Sequence, residues 1–238
     1  MRSSPSKLDP LDPGPAGFAH RGLHGVGVPE NSLAAFQAAL DREAGIECDV
    51  RLSGDGSAVV FHDGNLKRIC DVALDVERTA SALLTGQRLG GTNEYLPALW
   101  RVLELVDGQV PLLLELKTRK GNAAKLCAEV RADLSPRSGA IGIMSFDPKV
   151  LRWFRRNAPH IRRGFVIGED LSWMKRWLIL VITAPQFIAV NRAALGLPWV
   201  VRARRRMPIY SWTIRTPTER EQASVHADVL IWEADGRP

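Results

Sequence analysis

GIECDVRLSGDGSAVVFHDGNLKR, residues 45–68, is the stretch whose reading decides the fold. Two apolar runs, 45–52 and 58–63, flank Asp55-Gly56, a pair that closes tight turns, so both read as strands. Successive side chains of a strand point to opposite faces. Glu47 and Asp49 therefore share one face, and Cys48 takes the other. Only about a dozen residues separate Asp49 from His62, too few for the helical crossover that parallel neighbours need. One of the two runs is a hairpin arm or an extra strand.

Working outward, GFAHRG (17–22) is a further short strand, followed by a loop and a helix from Ser32 with Leu33, Phe36 and Leu40 on one face. In PENS (29–32), Asn31 or Ser32 caps that helix. Downstream, residues 64–94 look polar and irregular. PLLLELK (111–117) is a continuous apolar run, the signature of a buried parallel strand. Further strands are expected at 140–146, 164–168, 186–190, 208–213 and 228–233. Helices fit roughly 96–106, 121–133, 147–157, 171–182, 192–205 and 217–224. Strand–helix alternation at this length implies a parallel sheet, either a (β/α)8 barrel or a doubly wound sheet.

Chemistry gathers at the C-terminal ends of these strands: His20-Arg21, Glu47-x-Asp49, His62-Asp63 and Glu115-x-Lys117. In a parallel barrel that end carries the active site. Glu115 follows three leucines and is expected to be desolvated, which is costly for a carboxylate without a cation beside it. Three converging carboxylates suit a hard divalent ion, Mg²⁺ or Ca²⁺, better than zinc. The plainer alternative pairs Glu115 with Lys117 or Arg21 and leaves Glu47 and Asp49 as solvated strand ends. Two histidines beside three acids can share proton transfer near neutral pH.

The chain has 238 residues, 45% of them hydrophobic and 24% charged, which fits one globular α/β domain and excludes a disordered or fibrous protein. Its net charge of +6 favours anionic partners. Cys48, Cys70 and Cys127 lack CxxC spacing and read as reduced thiols of a cytoplasmic protein. Residues 1–16, rich in Pro, Gly and Ser, are expected to be a flexible tail without a signal-peptide core, leaving 17–238 as the domain. The most apolar stretch, 177–190, is broken by Pro185 and Gln186 and is too short to cross a bilayer.

Taken together, AHRG (19–22), PENSLAAF (29–36), the 45–68 stretch, LPAL (96–99), LLLELK (112–117), MSFDP (144–148) and YSWTIR (210–215) resemble the glycerophosphodiester phosphodiesterase family. The resemblance implies a (β/α)8 TIM barrel with a short insertion, here 64–94, after the third strand. It implies metal-dependent hydrolysis of a small glycerophosphodiester to glycerol 3-phosphate and an alcohol. By the same resemblance His20 and His62 are the acid–base pair, Glu47, Asp49 and Glu115 hold the metal, Arg21 and Lys117 meet the phosphate, and Trp212 lines the pocket. Two positions depart from the family pattern. Arg215 stands where an Asn is frequent, and the last strand reads ADVLIWEADG, with Glu233 as the acid available there.

Three rival readings remain at this point. A phospholipase of the same superfamily, acting on lysolipids, would need transient membrane contact, for which Trp173, Met174, Trp177 and Leu178–Val181 beside Lys175 and Arg176 would serve as an interfacial helix. The simpler reading packs that helix on the sheet. A non-catalytic phosphate-binding barrel is opposed by the presence of both histidines and all three acids. A nucleic-acid binder is suggested only by Arg202, Arg204, Arg205 and Arg206, which read as a solvated helix end, so no nucleic acid is expected.

Overall fold

A computed structural model describes residues 11–119, 121–135, 139–168 and 171–238. In chain order the elements are β1 (Phe18–His20), α1 (Leu33–Leu40), β2 (Gly45–Leu52), β3 (Ala58–Val60), α2 (Lys67–Cys70), α3 (Ser81–Thr85), α4 (Leu99–Val106), β4 (Leu112–Leu116), α5 (Ala123–Leu134), β5 (Ile141–Ser145), α6 (Pro148–Asn157), β6 (Arg162–Ile167), α7 (Trp173–Thr183), β7 (Phe187–Asn191), α8 (Pro198–Arg204), β8 (Ile209–Ile214), α9 (Pro217–Ser224) and β9 (Val229–Trp232).

Eight strands form a closed parallel ring, because β1 pairs with both β2 and β9. The ninth, β3, is the hairpin arm: it runs antiparallel to β2, with Val50 opposite Val60. The insertion follows β3 and so lies between the second and third strands of the ring. It is less irregular than its sequence suggests. Leu66, Val76, Leu84 and Leu89 close with Val59, Phe61 and Leu96 into a small core of their own. The helix expected over 192–205 is interrupted: a 3-10 turn at Arg192–Ala194 is followed by α8, which starts at Pro198.

Two apolar layers hold the barrel. One lies between the sheet and the helices, and the other fills the ring with Phe18, Leu113, Met144, Phe187, Tyr210 and Ile231. Phe187 and Tyr210 stack at 4.2 Å. Gly164 makes room for them, since a Cβ there would fall inside the Phe187 ring.

The expected flexible tail is corrected over its described part. Leu11 is buried within the ring's interior layer, residues 14–16 form a 3-10 turn, and the Trp232 indole donates to the Ala16 carbonyl at 2.6 Å. Gly142 leaves the space that Leu11 occupies. Residues 1–10 lie outside the described residues.

Candidate active site

The strand register assembles the site. His20 on β1 lies opposite Glu47 on β2, and Asp49 lies opposite Glu115 on β4. Glu47 and Asp49 are 1% exposed and Glu115 is 8% exposed, so all three carboxylates are withdrawn from water. Each offers an oxygen, and the three oxygens lie within 4.8 Å of one another.

Cations answer part of this charge. Lys117 Nζ lies 2.6 Å from Glu115 Oε1 and 3.2 Å from Asp49 Oδ1. Arg21 Nε lies 3.2 Å from Asp49 Oδ2, and the Arg21 backbone N–H donates to Glu47 Oε2 at 3.1 Å. Three carboxylates thus face two cations, and the excess falls on Glu47, whose Oε1 is buried without a hydrogen-bond partner. Burial, then repulsion from Asp49 and Glu115, holds the Glu47 carboxyl well above its ordinary pKa. Burial pushes Asp49 the same way, but Lys117, Arg21 and both histidines outweigh it and hold that carboxyl far down. A hard cation among the three acids would give Glu47 Oε1 a partner, so the donor set fits an oxygen-ligated divalent ion. The salt-bridge alternative is also present: Lys117 pairs with two of the same acids.

The PENS loop contributes more than a cap. Ser32 caps α1, its Oγ accepting from Ala35 N–H at 3.1 Å. Asn31, buried and in the left-handed region at φ 56°, donates from Nδ2 to Asp49 Oδ2 at 3.0 Å. Glu30 accepts from Arg21 at 2.7 Å and from Arg68 at 2.7 Å, which fixes the Arg21 side chain. Neither role was anticipated from the sequence. The signal available was only that three polar residues precede a helix facing the acid-bearing strand.

The Asp49 carboxylate interacts electrostatically with both imidazoles, His20 and His62. His20 Nδ1 donates to Glu233 Oε2 at 2.6 Å, and His24 Nε2 lies 3.7 Å from the same oxygen. His62 Nδ1 lies 2.6 Å from Asp63 Oδ1, and Arg68 holds the other Asp63 oxygen at 2.6 Å. In each case a carboxylate takes Nδ1, leaving Nε2 for chemistry. Burial lowers the pKa of both rings, against the opposing pull of Glu233 on His20 and of Asp49 on His62. Both shifts favour the neutral ring, the form that accepts a proton.

Trp212 sits farther round the rim. Its ring meets Phe146 edge-on at 5.9 Å, and the Lys117 ammonium lies 5.9 Å from the centre of Phe146. Phe146, which the sequence reading did not single out, thus connects Trp212 to the charged centre. Arg215 and Glu233, the two positions expected to depart from the family pattern, meet each other at 2.6 Å.

Fold and rim together define a (β/α)8-barrel enzyme with an acidic, two-histidine centre at the C-terminal ends of its strands. The sequence model of the glycerophosphoryl diester phosphodiesterase family matches residues 20–236, and the chain belongs to that family. A glycerophosphodiester phosphodiesterase of Caldanaerobacter subterraneus subsp. tengcongensis is 31% identical over 165 residues, 63% of this chain and 65% of the relative. Among solved structures, an Oleispira antarctica phosphodiesterase in complex with its product sn-glycerol-3-phosphate shares the fold, with a TM-score of 0.83, 24% identity and 92% of each chain covered. A Thermotoga maritima glycerophosphodiester phosphodiesterase superposes with a TM-score of 0.76 at 25% identity, over 90% of this chain and 92% of the other.

Proposed function

We propose that this rim hydrolyses glycerophosphodiesters to sn-glycerol 3-phosphate and an alcohol, with a divalent cation, Mg²⁺ or Ca²⁺, held by Glu47, Asp49 and Glu115. The observation that carries the reading is the partnerless, buried Glu47 oxygen among three acids, on a rim that also holds two carboxylate-oriented imidazoles. The bound cation supplies Lewis acidity to the phosphoryl group. Arg21 and Lys117 neutralise the charge that develops on the phosphoryl oxygens. Of His20 and His62, one accepts the proton of the attacking hydroxyl and the other, entering the step protonated, gives its proton to the departing alkoxide. Exchange with water then takes a proton from the first ring and restores one to the second, so the protons balance. Trp212 forms the wall against which the glycerol or the alcohol lies.

The substrate in this reading is a small molecule. Among the described residues no helix is long and apolar enough to cross a membrane. The three thiols are free and fit a reducing, cytoplasmic setting.

A substrate panel tests the proposal: glycerophosphocholine, -ethanolamine, -glycerol and -inositol and intact lysolipids, each after chelation and after re-addition of Mg²⁺ or Ca²⁺. Metal-restored release of glycerol 3-phosphate supports it. Turnover indifferent to chelation removes the cation from the mechanism.

A further inference from the structure

Helix α7 packs only one side on the barrel and turns a second apolar face to solvent. Of its eleven residues only Thr183 is fully buried. Trp173, Met174, Trp177, Leu178, Val181 and Ile182 are exposed, with Trp173 at 70% and Trp177 at 63%. At about 100° per residue these six cover roughly half the helix circumference. Ile179 and Leu180 pack on the core instead. The same surface continues onto the next helix, where Leu197 and Val201 are exposed. The Arg176 guanidinium lies 4.0 Å over the Trp199 ring and ties α7 to α8.

The charge around this face is one-sided. Residues 171–218 hold eight Lys and Arg and no Asp or Glu. The whole chain carries +6, so everything outside that segment nets −2. Lys175, Arg202, Arg205 and Arg206 are exposed. On the α6 side Arg155 donates to the Ile182 carbonyl at 2.6 Å, at the C-terminal end of the apolar face.

We propose that the α7–α8 face docks this protein on an anionic lipid surface. Tryptophan and aliphatic side chains enter the acyl boundary while the arginines around them meet lipid phosphates. A second copy of the chain fits the face poorly, because a symmetric contact would bring the same arginines together without an acid to pair them. Trp173 lies just beyond the β6 end, so the docked face adjoins the rim that carries the acids. The proposal does not depend on which phosphodiester the rim cleaves.

Co-sedimentation of the full chain with vesicles tests it. One set is phosphatidylcholine alone, and the other is phosphatidylcholine mixed with phosphatidylglycerol. The protein is expected to pellet with the anionic vesicles and to be released by high salt. R202A/R205A is expected to weaken binding about 25-fold, from roughly fivefold per arginine at an anionic surface. W177E/L178E is expected to stop pelleting while its thermal unfolding and its hydrolysis of soluble glycerophosphocholine stay as in the parent. Equal binding to neutral vesicles, binding to neither set, or a solution dimer that W177E/L178E separates would each overturn the proposal.

Discussion

His20 Nδ1 and Glu233 Oε2 form a 2.6 Å hydrogen bond across 213 residues of sequence. Glu233 Oε1 lies 2.6 Å from Arg215 Nε, so the two positions that the sequence reading set apart are partners. A carboxylate at Nδ1 fixes the ring and favours its protonated form.

Glu233→Gln should keep the acceptor but lose the charge. Turnover is expected to fall about 10²-fold or more, with a smaller change in KM. The sign of the pH effect follows from the bond. Glu233 raises the His20 pKa against burial, so its loss lets that pKa fall further. The limb of the pH–rate profile that belongs to His20 should move to lower pH; an unmoved limb means that Glu233 does not act through His20.

His20→Ala and His62→Ala are each expected to lower turnover by about 10²–10⁴-fold while the melting temperature changes little. Both rings lie at the rim, clear of the apolar layer inside the ring. Near-parental turnover in either variant would remove that histidine from proton transfer.

Asn31→Ala should cost stability and cation affinity together. Asp49 loses its buried amide donor, and alanine takes the positive φ of this position less readily than asparagine. The unsatisfied carboxylate oxygen is expected to cost about 1–3 kcal/mol in denaturant unfolding. Cation titration by calorimetry should show affinity reduced about 10–100-fold. Unchanged stability would mean that Arg21 and Lys117 suffice for Asp49.

The Glu30–Arg68–Asp63 cluster predicts an acid limb of stability. Burial would raise both carboxyls, yet Arg68 and its neighbours hold them below their ordinary values. A depressed folded-state pKa stabilises the fold above the unfolded-state value. That stability is lost as pH falls through the folded-state values, below the ordinary carboxylate range. Arg68→Ala should flatten this limb in melting curves taken between neutral and acid pH.

Leu11→Ala tests the plug at the barrel's N-terminal end. Leu11 is 1% exposed, and the cavity left behind is expected to cost about 3 kcal/mol. For a chain of this size that corresponds to a fall in Tm of roughly 6–12 °C. A negligible change would mean that the segment detaches without consequence.

Much of the site was readable because strand alternation is local. Glu47 and Asp49 share a face by that rule alone, as do Glu115 and Lys117, and the leucines before Glu115 announce its burial. Contacts made by ring closure were not readable. Nothing near His20 in the chain names Glu233, and nothing near Asp49 distinguishes Asn31 as its donor rather than as a helix cap. The insertion's small core escaped notice because Leu66, Val76, Leu84 and Leu89 follow no single period. Leu11 lies in a proline-rich stretch without apolar periodicity, and only the gap over Gly142, more than a hundred residues away, gives it a seat. The simpler expectation for α7 holds for Ile179 and Leu180, which pack on the core, but leaves its other face unexplained: apolar composition says that a helix avoids water, not which surface it meets instead.

The seam between β1 and β9 gives synthesis an order of events. The first strand of the ring leaves the ribosome well before one of its two neighbours, Val229–Trp232, which follows it by some two hundred residues. Until then that flank of β1 is an unpaired edge, a place where chaperones or another nascent chain can bind. His20 and Glu233 straddle the same seam, so a stalled or shortened product lacks the pair. In the proposed mechanism, proton transfer through an oriented His20 then belongs to molecules whose translation has run past Glu233.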